Sequence, residues 1–218
     1  MTKSIIITAG GIGKRMGSDI PKQFIEVNGL PILMHTITKF FNFDSGIEII
    51  IVLPKNHIVY WNELVVRFEF TIQHTIVEGG EERFYSIKNG LRETNGELIG
   101  VHDGVRPFVS LDVIKSVFDS AELNKAAIPV IELKESIRRG GDAESESVDR
   151  SHYKIVQTPQ CFTSEVIKNA YLQDFSNAFT DDASVVEKKG TKIHLVKGND
   201  ENIKITTPMD LKLATILA

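Results

Sequence analysis

Short apolar runs alternate along the chain with stretches whose apolar residues recur every three to four positions. The runs predict strands at Ser4–Thr8, Ile47–Leu53, Ile72–Val77, Leu98–His102, Ala127–Ile131 and Ile193–Val196. Ile49, Ile50, Ile51 and Val52 are consecutive β-branched residues, as in a strand buried on both faces. The periodic stretches predict helices at Pro31–Phe41, His57–Phe68, Glu82–Glu93 and Asp112–Leu123, with others from Ser164, near Asp182–Lys189 and from Pro208. In the first, Leu33, Ile37, Phe40 and Phe41 share one face; Ile114, Val117, Phe118 and Ala121 do the same in the fourth. Pro31 and Asp112 suit helix starts. Strand-helix-strand repetition implies an α/β fold: a Rossmann-like three-layer sandwich around a mostly parallel sheet. Ligands in such folds bind at the carboxyl ends of the strands, which directs attention to the loops after Thr8, Leu53, Val77 and His102.

One segment breaks the rhythm. Glu132 to Gln157 is polar and charged, with Gly140-Gly141 in its middle. It reads as two extended arms around a Gly-Gly turn. Two readings stand: a disordered surface loop, or a protruding β-arm that packs on a second subunit. No internal repeat or low-complexity tract is evident. The expected organisation is one domain over residues 1–218, with 132–157 embedded in it.

Composition limits the function class. The chain has 218 residues, 42% hydrophobic and 25% charged, typical of a folded globular protein and unlike a disordered or coiled-coil one. The single cysteine, Cys161, excludes an internal disulfide and a Cys-based zinc site. The six histidines show no zinc-binding spacing. A net charge of −4 argues against a nucleic-acid binder, yet a few Arg and Lys can still converge on one anion. The apolar run Ile5-Ile6-Ile7 is too short for a signal peptide, and no stretch approaches the roughly 18 apolar residues of a membrane span. A cytoplasmic protein without membrane or nucleic-acid partners is expected.

The strongest local signal follows the first strand: Thr8-Ala9-Gly10-Gly11-Ile12-Gly13-Lys14-Arg15-Met16-Gly17, then Pro21-Lys22-Gln23. Glycines after a strand let backbone N–H groups approach a phosphate. The loop lacks the Gly-Lys-Ser/Thr of a P-loop, and its glycine spacing is one residue too long for a dinucleotide fingerprint. Its cations set it apart. Lys14, Arg15 and Lys22 could face a triphosphate, where fixed positive charge does most to stabilise the transition state of phosphoryl transfer. A second cluster, Gly79-Gly80-Glu81-Glu82-Arg83, leads into a helix whose first turns carry Ser86. A third, His102-Asp103-Gly104-Val105-Arg106-Pro107-Phe108, ends a central strand. Asp103 suits a divalent cation carrying nucleotide phosphates, and Arg106 suits an anion; an ordinary Asp–Arg salt bridge is the competing reading. His102 is expected to pack or orient. Asp181-Asp182 suit a helix cap. Lys204, inside the alternation Ile203, Ile205, has reason to point into a site.

In combination these motifs are more specific than any one. Ala-Gly-Gly-x-Gly-x-Arg-Met-Gly, Pro-Lys-Gln-Phe, Gly-Gly-x-x-Arg, His-Asp-x-x-Arg-Pro-Phe, Thr-Pro-Gln-x-Phe, Thr-Asp-Asp-Ala-Ser and Asn-Ile-Lys-Ile-Thr occur in this order. The set resembles the 2-C-methyl-D-erythritol 4-phosphate cytidylyltransferases of non-mevalonate isoprenoid biosynthesis, from Ile5 to about Leu213. The resemblance implies transfer of CMP from CTP to methylerythritol phosphate, with Mg²⁺ as cofactor. It implies that Arg15 and Lys22 stabilise the transition state. Backbone at Ala9, Gly10, Gly11 and Gly13, with Lys14 beside it, would hold CTP. Gly80, Ser86 and Gly104 would line the cytosine and ribose pocket. Asp103 would serve the metal and acceptor side, where Arg106, Thr180 and Lys204 position the sugar phosphate. The 132–157 segment resembles the family's dimer arm, so Arg150 and Ser136 would reach a neighbouring subunit's site in a homodimer. The chain has Ala9-Gly10-Gly11 where Ala-Ala-Gly is usual, Gly104 where alanine is common, and Ser136 where threonine is frequent. A ribitol 5-phosphate cytidylyltransferase and a non-catalytic nucleotide-binding module on the same fold remain the alternatives.

Overall fold

A computed structural model describes residues 1–11 and 20–218. The chain opens with β1 (Lys3–Thr8), a small hairpin of β2 (Glu26–Val27) and β3 (Leu30–Pro31), and α1 (Ile32–Phe43). It continues through β4 (Glu48–Leu53), α2 (Ile58–Arg67), β5 (Thr75–Glu78) and α3 (Arg83–Arg92). Next come β6 (Leu98–Asp103), α4 (Leu111–Asn124) and β7 (Ala126–Glu132). The excursion holds β8 (Arg138–Gly140) and β9 (Ser145–Ser147), after which β10 (Lys154–Val156) and β11 (Gln160–Thr163) return to the sheet. The chain closes with α5 (Ser164–Ala170), α6 (Asp182–Glu187), β12 (His194–Lys197) and α7 (Pro208–Leu217).

β5, β4, β1 and β6 are parallel neighbours in that order. β11 runs antiparallel between β6 and β7, and β12 lies parallel to β7. β7 therefore points the same way as β6, and the reversed strands in this sheet are β10 and β11. The expected mostly parallel sheet is present. Sequence patterning misses β11, because Cys161 and Phe162 follow the polar stretch Gln157-Thr158-Pro159-Gln160. It also starts β5 too early, at Ile72, where the chain is still irregular.

Alternation in β1 and β4 builds two cores. Ile5, Ile7, Ile49, Ile51 and Leu53 pack with α1, α2 and α4 through Leu33, Ile37, Phe40, Trp61, Ile114 and Phe118. Ile6, Ile50 and Val52 face the other way, onto Phe84, Ile87 and Leu91 of α3, Ile167 of α5 and Val186 of α6. Helices thus cover both faces, as the doubly buried run in β4 requires. A smaller cluster of Val27, Ile32, Val105, Phe108, Ile205 and Ala214 seats α7 beside the β6 loop.

The order of the central strands fixes where a ligand can enter. From β1 the chain moves outward to β4 and β5, then crosses to β6 on the other side of β1. Between β1 and β6 the loops diverge, leaving a crevice at the carboxyl ends of the strands. Thr8 pairs with Asp103 at that point, and the Gly104 N–H donates to the Thr8 carbonyl at 2.9 Å. The excursion from the sheet forms a short hairpin in which Arg138, Arg139 and Gly140 pair with Ser147, Glu146 and Ser145. Its turn runs from Gly141 to Glu144, so Gly140-Gly141 ends the first arm. Among the described residues, no helix is long and apolar enough to cross a membrane.

Candidate active site

A cleft of about 340 Å³ opens at the strand switch. Thr8 to Gly11 line it after β1, Val52 to Pro54 at the end of β4, and Gly79 to Arg83 after β5. Asp103, Val105, Lys22, Gln23, Ser86 and Lys204 complete the wall. Four loops at strand ends therefore meet where the sequence pattern places the chemistry.

Close approach requires Gly80 and favours Gly11. A Cβ on Gly11 would lie 3.1 Å from the Lys22 Cε, so the glycine lets the lysine stem pass. Lys22 stands at the start of a single 3₁₀ turn, and its Nζ donates to the Ile205 carbonyl at 3.2 Å. A Cβ on Gly80 would lie 2.4 Å from the Tyr85 Cβ, which no real packing allows. The Gly80 N–H donates to the Ser86 Oγ at 3.1 Å, and Gly79 N–H donates to the Leu53 carbonyl at 2.8 Å. The loop is folded back on the first turns of α3, as its glycines and Ser86 suggest.

The electrostatic centre is Asp103. Its Oδ2 accepts from Arg106 Nε at 3.0 Å and lies 3.1 Å from Lys204 Nζ. The Asp103 and Arg106 side chains are 11% and 14% exposed. Burial works to raise the Asp103 carboxyl, but Lys204, Arg83 and Arg106 outweigh it and hold the group well below the usual carboxylate range. The Asp–Arg salt bridge foreseen as a competing reading is thus present, joined by Lys204. Arg106 also donates through Nη1 to the Asn202 carbonyl at 2.8 Å. Lys204 lies between Ile203 and Ile205 in an irregular segment before α7; Ile205 is buried, and Lys204 lines the cleft.

His102 packs and orients, as expected. Its ring is fully buried against Phe40, with Nε2 at 3.0 Å from the Arg106 carbonyl and Nδ1 at 2.9 Å from the Thr158 Oγ1. A carbonyl can only accept, so Nε2 carries the proton and Nδ1 receives the threonine hydroxyl. Burial lowers the imidazole to a pKa of about 4, leaving it neutral at pH 7.

Sequence reasoning assigned no role to Arg83, Thr158, Gln157 or Asn202. Arg83 lines the cleft and grips the buried Asp182 with two hydrogen bonds, at 3.0 and 2.6 Å. Tyr171 Oη donates to the same carboxylate at 2.6 Å. Asp181 is the cap of α6, accepting from the Ser184 N–H in a capping box, whereas Asp182 is the arginine's partner. Asn202 donates to the Thr158 carbonyl at 2.8 Å, and Gln157 to the Asn199 carbonyl at 2.8 Å. Their sequence signal was a polar cluster at an element end; their burial became visible only in three dimensions.

Other expected site residues fall differently. Gly104 does not line the cleft: a Cβ there would meet Leu33 Cδ1 at 3.0 Å and the Ala9 Cβ at 3.1 Å, so it is a packing position. Ala9 is buried, and its N–H and carbonyl are engaged by Val52 and Gln23. Thr180 lies on a neighbouring cavity of about 240 Å³ that shares Glu82 and Arg83 with the cleft. Ser136 and Arg150 are exposed on the excursion, where Arg150 donates to the Lys134 carbonyl. Gly13, Lys14 and Arg15 lie outside the described residues. Among the described residues no group of three or more His, Cys, Asp or Glu forms a self-sufficient metal cage. Asp103 alone still suits Mg²⁺, which takes one or two carboxylates and completes its shell with phosphate and water.

The model of the family described as 2-C-methyl-D-erythritol 4-phosphate cytidylyltransferase matches residues 4–218. A Bacteroides thetaiotaomicron protein of that name is 52% identical over 218 residues, covering 100% of both chains. A Phocaeicola vulgatus protein of the same name is 53% identical, again over 100% of both. Among solved structures, the Francisella tularensis 2-C-methyl-D-erythritol 4-phosphate cytidylyltransferase superposes with a TM-score of 0.83 at 29% identity, covering 100% of both chains. The 4-diphosphocytidyl-2C-methyl-D-erythritol synthase of Anaerococcus prevotii gives 0.83 at 29%, covering 99% of this chain and 95% of that one.

The buried neutral His102 makes stability depend on pH. In the unfolded chain its pKa returns to about 6.5, so that state binds the extra proton first as pH falls. The contribution is fully present above about pH 6.5 and is lost as pH falls through about 4. About 2 kcal/mol of the loss falls between pH 7 and 5. Urea midpoints at the two pH values should show it, and His102→Gln should show a correspondingly smaller drop. An equal drop in the variant contradicts the assignment.

Proposed function

The chain belongs to the 2-C-methyl-D-erythritol 4-phosphate cytidylyltransferase family, and we propose from that premise how its cleft performs the family's reaction. The enzyme is a nucleotidyltransferase that joins CMP from CTP to methylerythritol phosphate, giving 4-diphosphocytidyl-2-C-methyl-D-erythritol in isoprenoid biosynthesis. An oxygen of the acceptor phosphate bonds to the α-phosphorus of CTP as the bond to pyrophosphate breaks. A phosphate dianion is already a nucleophile, so the site needs fixed cations and no general base. Among the described residues, the cleft is lined by Lys22, Lys204 and Arg83, cations of the kind that requirement calls for.

The observation that carries the assignment is the pair Asp103–Lys204 at the strand switch, on one cleft with Lys22 and the β1 glycines, with Arg106 bonded to Asp103 behind it. We assign the nucleotide base and ribose to the Gly79–Ser86 wall. The triphosphate lies over Gly10 and Gly11. Lys22, with Arg15, meets the charge that develops on the α-phosphate oxygens and the leaving pyrophosphate. Lys204 and Arg106 orient the acceptor phosphate, and Thr180 borders its sugar end. Asp103 would hold Mg²⁺ against the triphosphate; the bound ion would neutralise phosphate charge. The reaction is placed in the cytoplasm, where nucleoside triphosphates are available.

We assign the 132–157 segment to a homodimer contact. Tyr153, Ile155 and Val156 are exposed apolar residues at its return to the sheet, a pattern that suits a covered surface. Ser136 and Arg150 lie on the arm outside their own chain's cleft, which suits residues that complete a partner's site. The methyl-branched acceptor is preferred over ribitol 5-phosphate because the family match spans the chain.

With CTP and Mg²⁺, pyrophosphate should be released with methylerythritol 4-phosphate and not with ribitol 5-phosphate. Release with ribitol phosphate alone reverses the acceptor assignment. Lys22→Ala should lower kcat by about 10²-fold or more, and near-normal turnover removes Lys22 from its role. Mixing Arg150→Ala with Lys22→Ala subunits should restore part of the activity, since each hybrid dimer keeps one intact site. Verified hybrids without recovery contradict the trans role of Arg150.

A further inference from the structure

Behind the cleft wall, four residues close a ring of hydrogen bonds that the reaction itself does not call for. The Asp103 N–H donates to Thr158 Oγ1 at 3.2 Å. The Thr158 hydroxyl donates to His102 Nδ1 at 2.9 Å, and His102 Nε2–H donates to the Arg106 carbonyl at 3.0 Å. The Arg106 N–H returns to the Asp103 carbonyl at 3.1 Å. Each proton position is forced. A carbonyl fixes the imidazole tautomer, the tautomer fixes the hydroxyl proton, and the hydroxyl then has a lone pair for the Asp103 amide. Asn202 ties the ring to the segment between β12 and α7, donating to the Thr158 carbonyl and accepting from Arg106 two residues before Lys204.

His102 and Thr158 are buried, and neither lines the cleft. Beyond each other, the groups their side chains hydrogen-bond belong to the loop that carries Asp103 and Arg106, and the Thr158 carbonyl holds the segment that carries Lys204. The β1 side is bonded through the His102 backbone, whose carbonyl accepts from Thr8 Oγ1 at 3.4 Å. The Gly79–Ser86 wall is held by Leu53, by its own helix and, through Arg83, by Asp182 of α6, and none of these bonds runs through His102 or Thr158. We propose that His102 and Thr158 are positioning residues that preset the acceptor-phosphate side of the site and leave the nucleotide side unaffected. The proposal rests on the functional reading above for the identity of the acceptor. The ring itself follows from the distances alone. Its catalytic value lies in alignment, since a small misplacement of reacting groups costs large factors in rate.

The test pairs kinetics with a spectroscopic signature. Nitrogen-15 NMR of the histidine side chains in the full-length protein should show His102 as the neutral Nε2–H tautomer at pH 7. Thr158→Val removes the hydroxyl at constant shape. It should lower kcat/KM for methylerythritol phosphate about tenfold or more while the Kd for CTP stays within about twofold. Thr158→Ser, which keeps the hydroxyl, should recover most of that loss. A merely structural role would weaken both ligands together and would not track the hydroxyl. The proposal is overturned by an Nδ1–H tautomer, by equal losses for CTP and acceptor, or by a valine variant with unchanged acceptor kinetics. If the wild-type enzyme turned over no methylerythritol phosphate, the functional reading would fail while the tautomer still decided the ring.

Discussion

A carboxylate buried with two cations organises this cleft. Asp103 sits at the end of a fully buried strand, where an unpaired charge would cost several kcal/mol. Arg106, three residues on, and Lys204, about a hundred residues away, compensate it. Satisfying that one group obliges the β6 loop and the Ile203–Ile205 segment to meet at the strand switch. It also leaves positive charge at the mouth of the crevice. Removing either cation would do more than subtract a contact, because the remaining groups were placed by the set.

The glycines supply the complementary constraint. Cations gather around Asp103, and phosphates need backbone that can come close to them. Gly11 admits the Lys22 stem, and Gly80 lets the chain fold onto Tyr85 and Ser86. Both sit directly after parallel strands whose alternate faces are fixed by two hydrophobic cores. Rigid strands therefore position loops whose own sequences are permissive. The Arg83–Asp182 pair adds a brace from α3 to α6, holding the Gly79–Ser86 wall of the cleft.

Much of this was legible in the sequence. Runs such as Ile49–Val52 can bury on both faces only within a covered sheet, and the loops after Thr8, Leu53, Val77 and His102 do meet in one cleft. The Lys204 side chain points into that cleft, as its place between two isoleucines suggested. β11 was not legible, because a reversed strand of four residues behind a polar stretch carries no periodic signal. Gly104 looked like a pocket glycine and is a packing one, a distinction that depends on Leu33 and Ala9 arriving from elsewhere in the chain. Thr158, Gln157 and Asn202 read only as members of polar clusters at element ends. Their partners lie 40 to 60 positions away in sequence, so only the tertiary fold shows that they are buried and paired.

The proposed role of Lys204 at the acceptor phosphate depends on Asp103 holding its ammonium in place, at 3.1 Å. A double-mutant cycle of Asp103→Asn and Lys204→Met, read as kcat/KM for methylerythritol phosphate, tests it most directly. Coupled action predicts a coupling energy of about 1–3 kcal/mol, with the double variant much less impaired than the sum of the singles. Effects that add to within about 0.5 kcal/mol would mean that the two groups work independently, and the site would not be a single charge-compensated cluster.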